Sequence, residues 1–77
     1  YEVNYTNRFK ESLKRLIKRG LDPHLISDAV DLLMQTGKLP QTYRPHILHG
    51  DWEGVWECHI KADILMTWEQ DDNKLTL

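Results

Sequence analysis

The sequence predicts an α+β fold in which a pair of helices packs on one face of an antiparallel sheet. Two amphipathic segments with apolar residues at helical spacing occupy the first half of the chain. Short segments that alternate apolar and polar residues precede and follow them, as half-buried strands do. The predicted order is strand, helix, helix and then three antiparallel strands (β-α-α-β-β-β), all in one sheet.

The first strand and the first helix come at the start of the sequence. Residues 1–5 alternate and are rich in aromatic and β-branched side chains, so we expect a strand with Val3 and Tyr5 directed inward. Thr6 can accept a hydrogen bond from a free backbone N–H at the start of a helix. Gly20 fits the position just after that helix, where a positive φ favours glycine. The apolar stripe of the helix consists of Phe9, Leu13, Leu16 and Ile17.

A second helix is predicted directly after the first, which makes the pair a helical hairpin. Asp22 and Pro23 are typical of a helix N-cap and of the first helical residue. Gly37 predicts the end of the helix, and residues 38–45, with two prolines, are expected to form a loop. The broad apolar face of this helix consists of Leu25, Ile26, Ala29, Val30, Leu32 and Leu33.

Two longer strands are predicted after the loop, over residues 55–61 and 63–70. We expect a tight turn around Lys61 and Ala62 to join them. A further turn signal leads to a strand that starts at Lys74. Because that strand is short and terminal, we expect it to be weakly anchored.

Length and composition limit the classes of protein. The chain has 77 residues, a formal net charge of −2 and one cysteine. This length suits a single domain over residues 1–77, and one cysteine excludes an internal disulfide. Because no apolar segment suits an export signal or membrane insertion, we expect a cytoplasmic protein without a membrane partner. The net negative charge argues against a simple nucleic-acid-binding domain.

Positive charge is concentrated in the first 20 residues, which carry six Lys or Arg side chains and two Glu. Such a cluster can attract the phosphates of a nucleic acid or an acidic segment of a protein partner. The alternative is a solvated helix face beside the apolar stripe. The candidate binding residues on this helix are Lys10, Lys14, Arg15 and Lys18.

Residues 45–63 gather histidines and a carboxylate around a glycine-rich turn and a strand. Cys58 and His59 are neighbours in that strand, so their side chains point to opposite faces of the sheet. We expect Cys58 to be a small buried side chain and His59 to stand on the open face. Imidazoles suit proton transfer because they titrate near neutral pH. The segment therefore predicts an acid–base site.

This segment resembles a motif of the RelE superfamily of bacterial toxins, and most closely of its YafQ branch. The motif is His-x-Leu-x-Gly-x-Trp-x-Gly, followed by a strand ending His-x-x-x-Asp. The matching residues are His46, Leu48, Gly50, Trp52, Gly54, His59 and Asp63. The resemblance implies a RelE-like fold and an mRNA interferase that cuts mRNA in the ribosomal A site without a cofactor. It also implies an antitoxin partner of the RelB or DinJ kind.

The resemblance also implies which residues line the active site, namely His46, His59 and Asp63. His59 could exchange a proton, Asp63 could orient an imidazole or act as a base, and His46 could transfer a second proton or hold phosphate. Arg44 and Lys61 are the nearest cations to the motif. The alternative for each site residue is structural: an exposed strand histidine, a loop histidine and a turn aspartate.

Members of this family continue past the last strand into a short tail with a further catalytic histidine and an aromatic residue. The sequence given ends at Leu77. We therefore expect a domain shortened at its C-terminal end, with little cleavage activity in this form.

Three alternative interpretations of the sequence concern a different function or a different kind of site. The ParE branch of the same superfamily inhibits gyrase without this catalytic set. A helix-turn-helix DNA-binding protein is disfavoured because the second helix carries Asp28 and Asp31 and no Lys or Arg. A metal site at residues 46–63 is disfavoured because Cys58 and His59 point to opposite faces.

Overall fold

The computed structural model describes residues 1–77 and contains two helices and five strands. A three-residue 3₁₀ turn lies in the loop on each side of the second strand. The α+β class and the helical hairpin are confirmed. The elements are β1 (Glu2–Asn4), α1 (Asn7–Lys18), α2 (Pro23–Thr36), β2 (His46–Ile47), β3 (Val55–Lys61), β4 (Ile64–Gln70) and β5 (Lys74–Thr76).

Both helices begin and end where the local sequence signals predict. The Thr6 hydroxyl accepts a hydrogen bond from the backbone N–H of Phe9 at 3.1 Å. The Asp22 carboxylate accepts one from the backbone N–H of His24 at 3.0 Å. Gly37 ends α2 with a left-handed φ of 72°. Neither helix is long and apolar enough to cross a membrane.

The five strands form one sheet in the order β1-β5-β4-β3-β2. β1 pairs with β5 in parallel, and the other neighbours are antiparallel. The predicted element order omitted β2, which the sequence placed in or beside a loop. A strand of two residues carries no alternation, so only its pairing with Glu57 and Trp56 on β3 defines it. The turn after β3 contains Ala62 and Asp63, one residue later than predicted.

The core lies between the helical hairpin and one face of the sheet. Phe9, Leu13 and Leu16 of α1 pack against it half-buried, as the apolar stripe predicts, whereas Ile17 of the same stripe is 40% exposed. The expectation that Tyr5 points inward is wrong: the residue is 42% exposed and its ring stacks on Phe9. The eleven buried residues are Leu21, Ile26, Ala29, Val30, Leu33, Leu39, Cys58, Met66, Trp68, Leu75 and Leu77.

The structure also contradicts the expected weak anchoring of the last strand. β5 lies between β1 and β4 instead of at an edge. Leu75 is fully buried, and the Leu77 backbone donates to the Asn4 carbonyl and accepts from the Thr6 N–H, each at 3.0 Å. The error arose because the parallel pairing with β1 joins two distant parts of the chain and leaves no local signal.

The cap of α2 predicts an acid-dependent stability. The pKa of Asp22 lies below its ordinary value of 3.8, chiefly because its carboxylate accepts a hydrogen bond from the backbone N–H of His24. The contact with the His24 ring lowers the pKa further. A lowered pKa means that this stabilisation is present above the ordinary pKa and is lost as the pH falls through the folded-state pKa. We expect urea midpoints of the wild type to fall more than those of Asp22→Asn, a neutral N-cap, as the pH drops from 7 to below 3.8. Equal acid responses of the two proteins would contradict this.

Candidate active site

The sheet face away from the helices carries the candidate site. Cys58 points into the core, so Glu57 and His59 on either side of it stand on the opposite face. β2 brings His46 directly across from Glu57. His59 is two residues further along β3, about 7 Å from Glu57. His46 and His59 therefore share the open face of the sheet, which is the face predicted for His59.

His46 is held by two hydrogen-bond partners. Its Nε2 lies 3.1 Å from a carboxylate oxygen of Glu57, and its Nδ1 lies 3.0 Å from the backbone carbonyl of Arg44. The His46 side chain is 46% exposed and that of Glu57 21%. Glu57 is a site residue that the sequence analysis missed. Its position two residues before His59 was a signal that it shares the face, but its partner depends on the β2–β3 register.

A shallow cleft of about 310 Å³ lies between the end of β3 and the loop that precedes β2, and neither His46 nor Glu57 lines it. Its lining includes His59 together with Arg44 and Lys61, the two cations nearest the motif. Arg44 is the only non-glycine residue with a positive φ, at 50°. The cleft thus combines a half-buried imidazole with two positively charged side chains, which suits a phosphate-containing ligand.

Asp63 occupies a different position from the other two predicted catalytic residues. It is exposed in the turn between β3 and β4 and forms no hydrogen bond or ion pair. It follows Ala62, the last residue that lines the cleft. The carboxylate that contacts an imidazole in this structure is Glu57, not Asp63.

The cationic residues of α1 lie away from this site. The helix packs on the other face of the sheet, with its charged side chains exposed. The only ion pairs of the chain involve histidines, so no Lys or Arg has a carboxylate within 4 Å. The exposed residues of this surface that the sequence singled out are Lys10, Lys14, Arg15 and Lys18.

The structure shows no cluster of three or more His, Cys, Asp or Glu side chains that could hold a metal ion. Cys58 is fully buried, and burial raises the pKa of its thiol to about 11. His59, its neighbour, stands on the opposite face. The expectation that Cys58 is a buried apolar residue is confirmed.

A helical hairpin behind a β1-β5-β4-β3-β2 sheet is the fold that this chain shares with the RelE-like toxins. Residues 1–77 match the family described as "Bacterial toxin of type II toxin-antitoxin system, YafQ". The chain therefore belongs to the YafQ family of type II toxins.

Curated relatives agree with this family over most of the chain. A Haemophilus influenzae protein that carries the name toxin YafQ is 31% identical over 71 residues, which are 88% of this chain and 70% of that protein. The mRNA interferase toxin YafQ of Escherichia coli K12 is 27% identical over 75 residues, covering 96% of this chain and 82% of that protein.

Solved structures share the fold. A copper-bound mutant toxin from Helicobacter pylori superposes with a TM-score of 0.92 at 26% identity, covering 99% of this chain and 86% of that chain. The toxin in the E. coli DinJ–YafQ complex gives a TM-score of 0.89 at 25% identity, with the same coverage. The predicted RelE-like architecture is confirmed.

Proposed function

We propose that this protein is an mRNA interferase, an endoribonuclease that cleaves mRNA on the ribosome. The observation that carries the proposal is that His46, Glu57 and His59 share one open sheet face, and that His59 also lines a cleft with Arg44 and Lys61. The family membership and the similarity to a protein named mRNA interferase toxin YafQ support it.

The residues of the face can supply what metal-free RNA cleavage requires. A base takes the proton of the 2′-hydroxyl, an acid protonates the departing 5′-oxygen, and positive charge stabilises the phosphate between them. His46 and His59 provide two imidazoles for proton transfer. Arg44 and Lys61, which line the cleft with His59, provide the charge. The proposed reaction uses these side chains and no cofactor.

Asp63 stays in the proposed site as a residue that acts on bound RNA. Its carboxylate is exposed in the turn directly after Ala62, where it can accept a hydrogen bond from a ribose hydroxyl or from an imidazole that moves on binding. The non-catalytic, gyrase-inhibiting alternative is not favoured, because it gives no function to the His46–Glu57 pair or to His59.

We further propose an antitoxin of the RelB or DinJ kind as the protein partner. The E. coli relative has been solved in complex with DinJ. In this chain the unpaired cations Lys10, Lys14, Arg15 and Lys18 offer α1 as a contact for an acidic segment, and ribosomal RNA is the second candidate for that surface. If the protein forms no complex with the product of the neighbouring gene in size-exclusion chromatography, the proposal of an antitoxin partner is contradicted.

The nuclease proposal is tested with protein made from the complete reading frame and mRNA positioned on purified ribosomes. We expect cleavage within the A-site codon, detected by primer extension, and little cleavage of the same mRNA without ribosomes. If the substrate is mRNA bound to the ribosome, the protein acts in the cytoplasm. No cleavage with ribosomes, under conditions where the E. coli relative cuts, would overturn the proposal.

A further inference from the structure

A second cavity lies on the helix side of the sheet, away from the candidate active site. Its volume is about 320 Å³, and its walls come from the loop after α2, the start of β3 and the end of β4. This volume lies at the lower end of the range of small-ligand pockets, about 300–1,000 Å³. None of the lining residues has a part in the proposed reaction.

Two indole rings form the aromatic wall of this cavity. Trp56 on β3 and Trp68 on β4 are directly opposite each other in the sheet, so their side chains point to the same face. The ring centroids are 6.1 Å apart and the ring planes are inclined by 13°. Trp68 is buried in the core, whereas Trp56 is half-buried and lines the cavity. An indole in this position can stack against a planar ring that enters the cavity.

Gln70 is a polar group of the cavity and is held in one orientation. Its Nε2 donates a hydrogen bond to the Gly37 carbonyl at 3.0 Å, and its Oε1 accepts one from the Trp68 Nε1–H at 3.2 Å. A carboxamide has two N–H donors and can accept two hydrogen bonds. One donor and one acceptor position of Gln70 therefore remain for a ligand. The edge of a nucleobase presents such an adjacent acceptor and donor.

The charge of the cavity wall suits an anionic ligand. Lys38 is the only charged residue that lines the cavity, and its side chain is exposed. No carboxylate lies within 4 Å of its ammonium group, because the ion pairs of the chain involve histidines alone. A lysine without a carboxylate partner can bind a phosphate group.

We propose that this cavity is a nucleotide-binding site, in which the base of one nucleotide of single-stranded RNA stacks on Trp56. The edge of the base hydrogen-bonds to Gln70, and its phosphate lies near Lys38. Unpaired RNA bases are commonly recognised by aromatic stacking together with hydrogen bonds along their edges. An apolar side chain of a protein partner would contact the indole rings but would leave the Lys38 charge and the free amide positions without a partner.

The loop between α2 and β2 is a wall shared by this cavity and the cleft at His59. Gln41 and Pro45 line the cavity, whereas their chain neighbours Thr42 and Arg44 line the cleft. An RNA strand with its scissile phosphate at the cleft can therefore cross this loop and place a neighbouring base in the cavity. In this respect the inference rests on the proposed nuclease function, and the bound nucleotide belongs to the mRNA beside the cut site.

Binding is tested with ¹H–¹⁵N correlation spectra of the protein during titration with each of the four ribonucleoside 5′-monophosphates. We expect at least one of them to shift the indole N–H signal of Trp56 and the side-chain amide signals of Gln70. Ribose 5-phosphate, which lacks the base, should leave both unchanged. Trp52 is the internal control, because it is 65% exposed and lies outside the cavity. Its indole signal should not move with that of Trp56.

Substitutions in the cavity wall should weaken the binding measured in these titrations. We expect a loss of about 5- to 150-fold in Trp56→Leu, which corresponds to the usual 1–3 kcal/mol of one base–aromatic stack. Trp52→Leu is the matched control and should bind as the wild type does. Lys38→Gln, at an exposed position that leaves the core intact, should also weaken binding. Lys74→Gln removes the same charge from an exposed lysine outside the cavity and should have no effect.

The inference is overturned if none of the four nucleotides shifts the Trp56 and Gln70 signals, or if Trp52 responds equally. Shifts caused by the antitoxin and by no nucleotide would assign the cavity to the protein partner and overturn it as well. Wild-type rates of mRNA cleavage by folded Trp56→Leu would overturn the assignment of the base to mRNA.

The titration uses no ribosomes and measures no cleavage. Nucleotide binding at Trp56 in a protein that does not cut mRNA would therefore overturn the nuclease proposal. Cleavage of mRNA by a protein that binds no nucleotide at Trp56 would overturn this inference alone.

Discussion

Replacement of Leu75 by alanine is expected to lower the free energy of unfolding by about 2–5 kcal/mol, the usual cost of removing a fully buried leucine side chain. Leu75 is 0% exposed and lies in β5, between β1 and β4. Small domains have a total stability of about 5–15 kcal/mol, so the loss is a large part of the whole. Urea denaturation followed by tryptophan fluorescence measures it.

Leu65→Ala is the matched control, because Leu65 lies on the open face and is 49% exposed. We expect that substitution to change stability by about 0.5 kcal/mol or less, as surface substitutions usually do. Similar losses for the two variants would mean that β5 contributes little to the core, and would restore the expectation of a weakly anchored last strand.

In protein made from the complete reading frame, replacement of His59 by alanine is expected to lower the single-turnover rate of mRNA cleavage on programmed ribosomes by about 10²–10⁴-fold, the usual contribution of one proton-transfer group. His59 lines the cleft with two cations and has no structural hydrogen bond to lose. His49→Ala is the control, since His49 is an exposed loop histidine with no proposed part in the reaction. An equal rate for wild type and His59→Ala would place the nuclease site elsewhere.

A structural contribution of His59 is separated from a catalytic one by stability measurements on the same variants. We expect His59→Ala and His59→Gln to unfold at urea concentrations close to that of the wild type. If His59→Ala unfolds, the glutamine variant keeps the size and polarity of the side chain and still lacks the imidazole. Restored cleavage in folded His59→Gln would show that proton transfer by this residue is not required.

The elements with local signals could be predicted from the sequence alone. Thr6, Asp22 and Gly37 define helix boundaries through hydrogen bonds and φ angles that involve residues at most four positions away. The longer strands β3 and β4 were predicted to within one residue because apolar and polar side chains alternate over several positions in each.

The features that depend on pairing between distant segments could not be predicted in this way. β2 is defined only by its partners on β3, and the burial of β5 depends on a parallel pairing with β1. The same limit applies to the site. His46 and His59 were found through the motif, whereas the contact between His46 and Glu57 joins residues eleven positions apart through the strand register.

The proposal that this sheet face cleaves RNA by attack of the 2′-oxygen is tested most directly with a single substitution in the substrate. Programmed ribosomes carry either an all-ribose mRNA or the same mRNA with one 2′-deoxynucleotide at the cut site, and the cleavage rate and end groups are measured. We predict that the ribose substrate is cut to a 2′,3′-cyclic phosphate and a 5′-hydroxyl, and that the deoxy substrate is not cut there. Cleavage of both substrates at similar rates would contradict the account, because the attacking group would then be water.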